Sequence, residues 1–484
     1  MSVAETIRSG ALARAGHYED DALRLAIEVV EKLETEGIET IRIVFPDQHG
    51  ILRGKTITAR VLASAFATGI GIPATLLLKD TAHRTVFPVW EEGLEIGGLS
   101  LVGAGDLLLV PDPVSFIQLP WSLHSALLLS DVVHKSGEAV AFAPRNVLKR
   151  AVDDLKALGY SAVFGLEVEF QVYRMTDPAL AHSQATMPPQ AVHTENLTQG
   201  YQYLTETRYG EAEALLDTLR RNSEAMNLAP RSMEVEMGPS QFEFTFDASD
   251  ALTQANNFVL FRTMVKEVCQ AQGLHASFMA KPKLPNAAAN GWHIHQSLLN
   301  ADGENVFMPG ADGALTGVAD NWIAGLLDHA EASCLLTNPT VNSYKRFTPF
   351  QLAPNRIQWG RDNRGAMIRT LLQAGDAASR IENRVADSSA NPYFALATQI
   401  FSGISGIKSE VKAPPPTENP YGGEAVTLPK SLIAAIELFE SDSALTQAFG
   451  AEFVQYLAHL KRAEWDRYLM TVSEWEQAEY FNLL

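Results

Sequence analysis

The sequence predicts an α+β protein built from a small N-terminal unit and a large C-terminal one. Three observations carry this. The chain has 484 residues, which calls for two unequal domains or one very large one. Its first part shows short strand-like runs punctuated by prolines, and its second part shows longer strands between helical segments. An apolar fraction of 46% supplies an extensive core.

Residues 1–36 read as one or two helices, with Asp20 or Asp21 capping the apolar-periodic segment Ala22–Leu33. A hairpin follows, with strand ETIRIVFP from Glu39, a turn at Asp47–Gly50 and strand ILRGKTIT. Short strands are expected near Ala74–Leu78, Asp106–Val110 and Leu127–Val133, separated by Pro111, Pro113 and Pro120. Segment 37–140 is thus a small mixed unit. Pro144 opens a helix running to Leu158, and Gly159 ends it, which puts the domain boundary just before, at about residue 141. From there to 484, strands are expected at Val163–Tyr173, Gln241–Phe246 and Trp292–Leu298. Helices are expected at Glu211–Met226, Ser249–Gln272 and Asn321–Cys334, and over most of Leu432–Leu484. The proline-rich stretch Ala413–Pro420 reads as a loop.

A formal net charge of −19 disfavours nucleic acid and anionic membranes as partners, and suits an enzyme whose acidic groups hold cations. The apolar run Ser125–Val133 is far too short to span a bilayer. The start, MSVAETIRSG, lacks the charged-then-apolar pattern of a signal peptide, so a cytoplasmic location is expected. Cys269 and Cys334 have apolar neighbours and read as buried free thiols, not as a disulfide or zinc site. GILRGKT at Gly50–Thr56 is close to a P-loop. It has three residues between its glycines where four are needed, and the hairpin reading is preferred.

Four motifs carry chemistry. In FGLEVEFQVY, strand alternation turns Glu167 and Glu169 to one face and Leu166, Val168 and Phe170 to the other. Such carboxylates repel unless a cation lies between them, although a solvated edge explains this segment alone equally well. Glu236 and Glu243 flank the turn Gly238-Pro239-Ser240, with Phe242, Phe244 and Phe246 on the opposite, apolar face. His293 and His295 share a face and suit metal or phosphate, or simply a solvated surface. Arg346, Arg361, Arg364, Arg369, Arg380 and Arg384 cluster around Glu382, and arginine captures carboxylates and phosphates bidentately; a structural ion pair is the plainer reading of any one. Together these groups suggest two metals beside a polyphosphate. Magnesium prefers oxygen ligands and keeps phosphate oxygens in its shell, which is the inventory of two-metal phosphoryl transfer.

The series is similar to the glutamine synthetase family. The resemblance rests on Glu167-Val-Glu169-Phe, Glu236 with Gln241-x-Glu243, Gly291-x-His293-x-His295-x-Ser297-Leu, Asn-Ser-Tyr-Lys-Arg346, Asn-Arg364-x4-Arg369 and Arg380-Ile-Glu382-x-Arg384, with Ala-Asn-Pro-Tyr downstream. VFPDQHGILRGK extends it toward the start, so it runs from about residue 36 onward. It implies a small β-grasp domain at 37–140, after a helical extension at 1–36, and a large α/β catalytic domain at 141–484. It implies rings of subunits, often a dodecamer, with active sites between neighbours. It further implies ATP and Mg2+ or Mn2+ at two or three sites per subunit. Glu169, Glu236 and Glu243 fall at ligand positions for one metal, and Glu167, His293 and Glu382 at those for the other. His295 and Ser297 fall at nucleotide contacts, Arg369 and Arg380 at nucleotide phosphates, and Arg364 where the transferring phosphoryl group is stabilised. Arg346 and Arg384 fall where glutamate's carboxylates are held.

The departures point to the acceptor. The family's flap carries an acid, and Leu352 stands at its place in Pro349-Phe350-Gln351-Leu352-Ala353-Pro354. The acidic N-domain segment that completes the family's ammonium site is replaced by GIGIPATLLLKD, and Ala288-Ala289 replaces an Asn-Gly of the glutamate site. Ammonium must be bound as a cation and deprotonated, whereas leucine favours apolar contact. The resemblance therefore leans to the branch that makes γ-glutamyl amides of aniline, isopropylamine or polyamines. In that branch ATP drives formation of γ-glutamyl phosphate from glutamate and an amine attacks it, with Phe350 and Leu352 contacting the amine. An ordinary glutamine synthetase is the alternative. A silent scaffold is a third reading, disfavoured because all six metal-ligand positions are retained.

Overall fold

The computed structural model describes residues 2–91, 95–96, 99–100, 102–347, 352–422 and 424–484. In its N-terminal part, helices α1 (Val3–Arg8), α2 (Ala11–Arg14), α3 (Asp20–Lys32) and α4 (Leu62–Thr68) accompany eight strands. These are β1 (Thr40–Pro46), β2 (Leu52–Thr58), β3 (Ile70–Pro73), β4 (Glu95–Ile96), β5 (Leu99–Ser100), β6 (Asp106–Pro111), β7 (Ile117–Gln118) and β8 (Ser125–Val133). The larger part adds β9 (Ser161–Asp177), β10 (His193–Asn196), β11 (Pro230–Val235), β12 (Gln241–Phe246), β13 (Ser249–Asp250), β14 (Leu274–Ser277), β15 (Trp292–Leu299), β16 (Trp359–Arg361), β17 (Ile368–Leu371) and β18 (Arg380–Asn383). Its helices are α5 (Pro144–Lys156), α6 (Glu206–Ala225), α7 (Ala251–Ala271), α8 (Gly317–Asp328), α9 (Ala330–Thr337), α10 (Pro392–Ser409), α11 (Leu432–Ser441), α12 (Ser443–Phe449), α13 (Ala451–Leu469) and α14 (Glu474–Tyr480). The α+β class holds.

The N-terminal sheet runs β2-β1-β8-β6-β3, with β1 and β8 parallel at its centre. Alternate residues Ile41, Ile43 and Phe45 of β1 are fully buried. The expected hairpin forms. The Asp47 carboxylate closes its turn by accepting the backbone N–H groups of His49 (2.9 Å) and Ile51 (3.0 Å).

The large sheet runs β11-β12-β9-β15-β18-β17-β16. Strand alternation gives it two unlike faces. Phe170, Phe242, Phe244 and Trp292 point away from solvent and pack on α7. Phe170 meets Phe261 at 5.7 Å and stacks on Phe278 at 5.2 Å, while Trp292 stacks on Phe258 at 4.6 Å. Truncating one of these rings would cost about 3–5 kcal/mol, so the polar residues between them are held on a stiff floor.

Four expectations need correction. Residues 1–36 hold three helices, not one or two, and Glu19 takes the N-cap position of α3 without a side-chain cap bond, which leaves Asp20 and Asp21 in its first turn, where they favour the helix dipole. Ala74–Leu78 is a 3-10 turn, because its buried residues, Ala74, Leu77 and Leu78, repeat with a helical rather than a two-residue period; the strand lies earlier, at Ile70–Pro73. The single helix expected over Asn321–Cys334 is two, broken at His329. The helix from Pro144 ends at Lys156, with Gly159 beyond it at φ +84°. Both cysteines are buried and free, as expected.

Candidate active site

The polar face of the large sheet gathers the acids and histidines. Register does this directly. Glu243 on β12 lies opposite Glu169 on β9, Glu167 opposite His293 on β15, and Glu382 on β18 opposite both His295 and Arg369. The groups thus converge across neighbouring strands, about 4.8 Å apart in any sheet.

Two sets of three ligand atoms result. Those of Glu167, His293 and Glu382 lie within 4.8 Å of one another, and so do those of Glu169, Glu243 and His293. His293 therefore stands between the sets. Gly291 makes this closeness possible. A Cβ there would fall 2.7 Å from an Arg346 nitrogen, 3.1 Å from a Glu169 oxygen and 3.2 Å from the His293 ring. Glu236 belongs to neither tight set. Half-buried in the turn beside them, its carboxylate accepts the N–H of Met237 at 3.0 Å.

The two halves differ in charge balance. Burial pushes the Glu167 carboxyl up, but hydrogen bonds to His293 (3.0 Å) and His295 (2.8 Å) outweigh it and hold that carboxyl far below the usual range. Glu382 is pushed up by burial and held low by His293 and by Arg384, which bonds it directly. On the other side, burial and the neighbouring Glu169 push Glu236 up to about 8, and burial with Glu169 and Glu167 pushes Glu243 well above the usual value. Among the described residues no Lys or Arg pairs with either. Buried carboxylates facing one another without a counter-charge, joined by a histidine, are a donor set that a hard divalent cation satisfies.

His295 is fixed by its neighbours. Arg380 can only donate, and its Nε sits 3.0 Å from the histidine Nδ1, so the Nε2–H donates to Glu167. With both nitrogens committed, His295 bridges the acidic cluster to Arg380. Ser297 follows on the same face of β15 and is buried. Arg369 donates to Glu382 at 3.1 Å and to Asp362 at 2.6 Å. A cavity of about 370 Å3 opens beside them, lined by Trp359, Arg361 and Arg380.

Arg346 and Arg384 are buried close by. Arg346 donates to the carbonyls of Val385 (2.7 Å) and Arg384 (3.1 Å), and Arg384 pairs with Glu382. Arg364 is exposed in the turn between β16 and β17. Leu352 is exposed, with left-handed backbone at φ 54°. Phe350 lies outside the described residues. Sequence reasoning missed Tyr203. The residue is half exposed, and partial burial with the carboxylates of Glu236 and Glu243 pushes its phenol up to about 12, with Arg364 opposing them. No local signal in GYQYLTET singles this tyrosine out.

Comparisons with known proteins agree with this geometry. Residues 141–480 match the family model described as glutamine synthetase, catalytic domain. The chain is 36% identical to a gamma-glutamylanilide synthase of Acinetobacter sp, covering 95% of this chain and 96% of that protein. It is 34% identical to a glutamine synthetase of Halobacterium salinarum, covering 93% and 95%. A solved structure of GmaS without ligand superposes with a TM-score of 0.78 at 29% identity, covering 94% of this chain and 99% of that one.

Proposed function

The chain belongs to the glutamine synthetase family, and on that premise we propose that it joins the γ-carboxylate of glutamate to an amine, using ATP, by way of γ-glutamyl phosphate. The observation that carries this reading is the convergence of Glu167, Glu169, Glu243, His293 and Glu382 on one sheet face beside buried arginines. Ligases of this family use ATP and divalent metals. We assign Glu169, Glu236 and Glu243 to one Mg2+ or Mn2+ ion and Glu167, His293 and Glu382 to another, with Glu236 turning from its own backbone to do so. The bound ions supply neutralising charge to the polyphosphate.

The chain's own residues do the rest. His295 and Ser297 face the nucleotide, and Arg369 and Arg380 hold its phosphates. Arg346 and Arg384 orient glutamate so that its side-chain carboxylate meets the terminal phosphorus. Arg364, free of the packed cluster, closes on the phosphoryl group and offsets its charge in the transition state. The bond between the γ-phosphorus and its bridging oxygen breaks as the acyl phosphate forms, and ADP leaves carrying that oxygen. The amine then attacks the acyl phosphate as a free base, expels inorganic phosphate and gives up its proton.

Leu352 favours an apolar amine over ammonia. A flap acid would stabilise ammonium and accept its proton, and leucine does neither. An aniline-like amine is attractive because it is uncharged at neutral pH and needs no base. The relatives include both an anilide synthase and a glutamine synthetase at similar identity, and the leucine at the flap position supports the amine reading. We further propose the division 1–36, 37–140 and 141–484, a ring-based dodecamer and a cytoplasmic location.

The test is phosphate release from glutamate, ATP and Mg2+ as amines are added singly, with the product identified by mass. Release that depends on both glutamate and an amine, with a γ-glutamyl amide formed, is expected. Release without glutamate, or none with any amine, would overturn the assignment.

A further inference from the structure

A second cavity, of about 530 Å3, is lined by none of the acidic cluster and lies where the β1–β2 loop and the start of β2 (Gln48–Leu52) meet α7, the end of α9 and α13. That volume is ordinary for a site holding a small organic molecule. Phe278, Leu335, Leu336, Phe394 and Leu457 supply apolar wall. Its charged lining is lopsided: Arg262, Lys266 and Lys461 against Glu267. Glu267 is already bound by Arg42 (2.7 Å) and by the Trp121 indole (2.8 Å), and Lys461 pairs with Glu464.

Arg262 and Lys266 are left without an acid. Arg262 is buried and donates to the carbonyls of Ser388, Ala390 and Gly50; Lys266 donates to the carbonyl of Ala276, at 3.2 Å. Among the described residues neither forms an ion pair. Lys266 lines the cavity with its side chain still accessible, and partial burial and then Arg262 hold its ammonium below the usual lysine range. Burial likewise lowers Arg262 to about 10. Arg262 and Lys266 lie one helical turn apart on α7 and repel each other, and although Asp47 and Asp387 stabilise Arg262 from a distance, neither cation has an acid bonded to it among the described residues.

We propose that this cavity binds a small apolar monocarboxylate, its carboxylate at Arg262 and Lys266 and its tail against Phe278, Leu336 and Phe394. Size and wall chemistry favour a tail over a second charge, which excludes glutamate itself. The pocket is also joined to the catalytic scaffold: Arg262 bonds the carbonyl of Ser388, whose hydroxyl bonds the backbone oxygens of Glu169 (2.5 Å) and Gly291 (2.9 Å).

The test is calorimetric titration of the full chain with octanoate and 4-phenylbutyrate, beside octanamide as the neutral isostere. One carboxylate per subunit should bind, and octanamide should bind at least about tenfold more weakly, the value of a charge-assisted contact. Lys266→Met should weaken the carboxylate and leave the amide unchanged. Leu336→Trp, which fills the cavity, should abolish binding and leave ligase turnover intact; Lys266→Met keeps the test open should that variant not fold. No carboxylate binding at millimolar concentration, equal binding of acid and amide, or undiminished binding in both variants would overturn the proposal.

Discussion

Metal-free protein should lose stability as pH rises from about 5 to about 8, and a divalent ion should restore it. Burial and Glu169 raise Glu236 from 4.5 to about 8, and burial with Glu169 and Glu167 raises Glu243 well above 4.5. Between the unfolded and folded values, each group binds more protons folded than unfolded. Its contribution is therefore fully present below about 4.5 and is lost as pH climbs through the folded value. For Glu236 alone the interval corresponds to roughly 3–5 kcal/mol, at about 1.4 kcal/mol per pH unit. The two acids share one repulsion and do not add. Glu167 and Glu382 are held low and titrate below this window. In a chain this long the loss would appear as a fall in Tm of roughly 5 °C. Thermal unfolding with EDTA and with excess Mg2+, at steps of pH, reads it. The Mg2+-induced gain should grow with pH, and Glu243→Gln should flatten the EDTA curve and shrink the gain. A gain equal at both ends of the range, or an unchanged slope in Glu243→Gln, would refute the reasoning.

Arg364→Ala should lower kcat by roughly a thousandfold or more with little change in Tm, because the side chain is exposed. Steady-state kinetics check this, and a rise confined to the KM for ATP would reduce Arg364 to a binding residue. Arg145 is buried and bonds Asp131 (2.9 Å), Asp112 (2.6 Å) and Asn256 (3.0 Å), so it ties the N-terminal sheet to α7. Arg145→Met should cost about 3–5 kcal/mol by denaturant unfolding, and a loss below about 1 kcal/mol would contradict that role. Leu352→Glu should raise kcat/KM for ammonia and lower it for isopropylamine and aniline; an unmoved ratio removes Leu352 from amine selection.

Much of the site was legible because alternation is local. FGLEVEF alone orients Glu167 and Glu169, and WHIHQS alone orients His293 and His295. Strand neighbours were not legible. That Glu169 faces Glu243, and Glu167 faces His293, depends on register between distant segments, which nothing inside either segment dictates. The same limit hid Tyr203, which reaches the acids through tertiary placement. Misread elements have a different cause. Ala74–Leu78 is five residues with a single polar one, Thr75, too short a run to show a period until its neighbours choose which side to bury. His329 breaks a helix because it bonds Asp442 (2.6 Å) and Ser405 (2.9 Å), partners far along the chain. The arginines were recognisable as a group. Which of them already hold bonds within the fold was not: Arg346 donates to carbonyls and Arg384 to Glu382, whereas Arg364 is exposed.

The central claim is that this fold ligates glutamate to an apolar amine in preference to ammonia. One competition tests it most directly: a single reaction with glutamate, ATP and Mg2+, equal concentrations of ammonia, isopropylamine and aniline, and products quantified by mass across a range of pH. The account predicts γ-glutamyl isopropylamide or γ-glutamylanilide in large excess over glutamine at every pH. Glutamine as the dominant product throughout would contradict it and leave an ordinary glutamine synthetase.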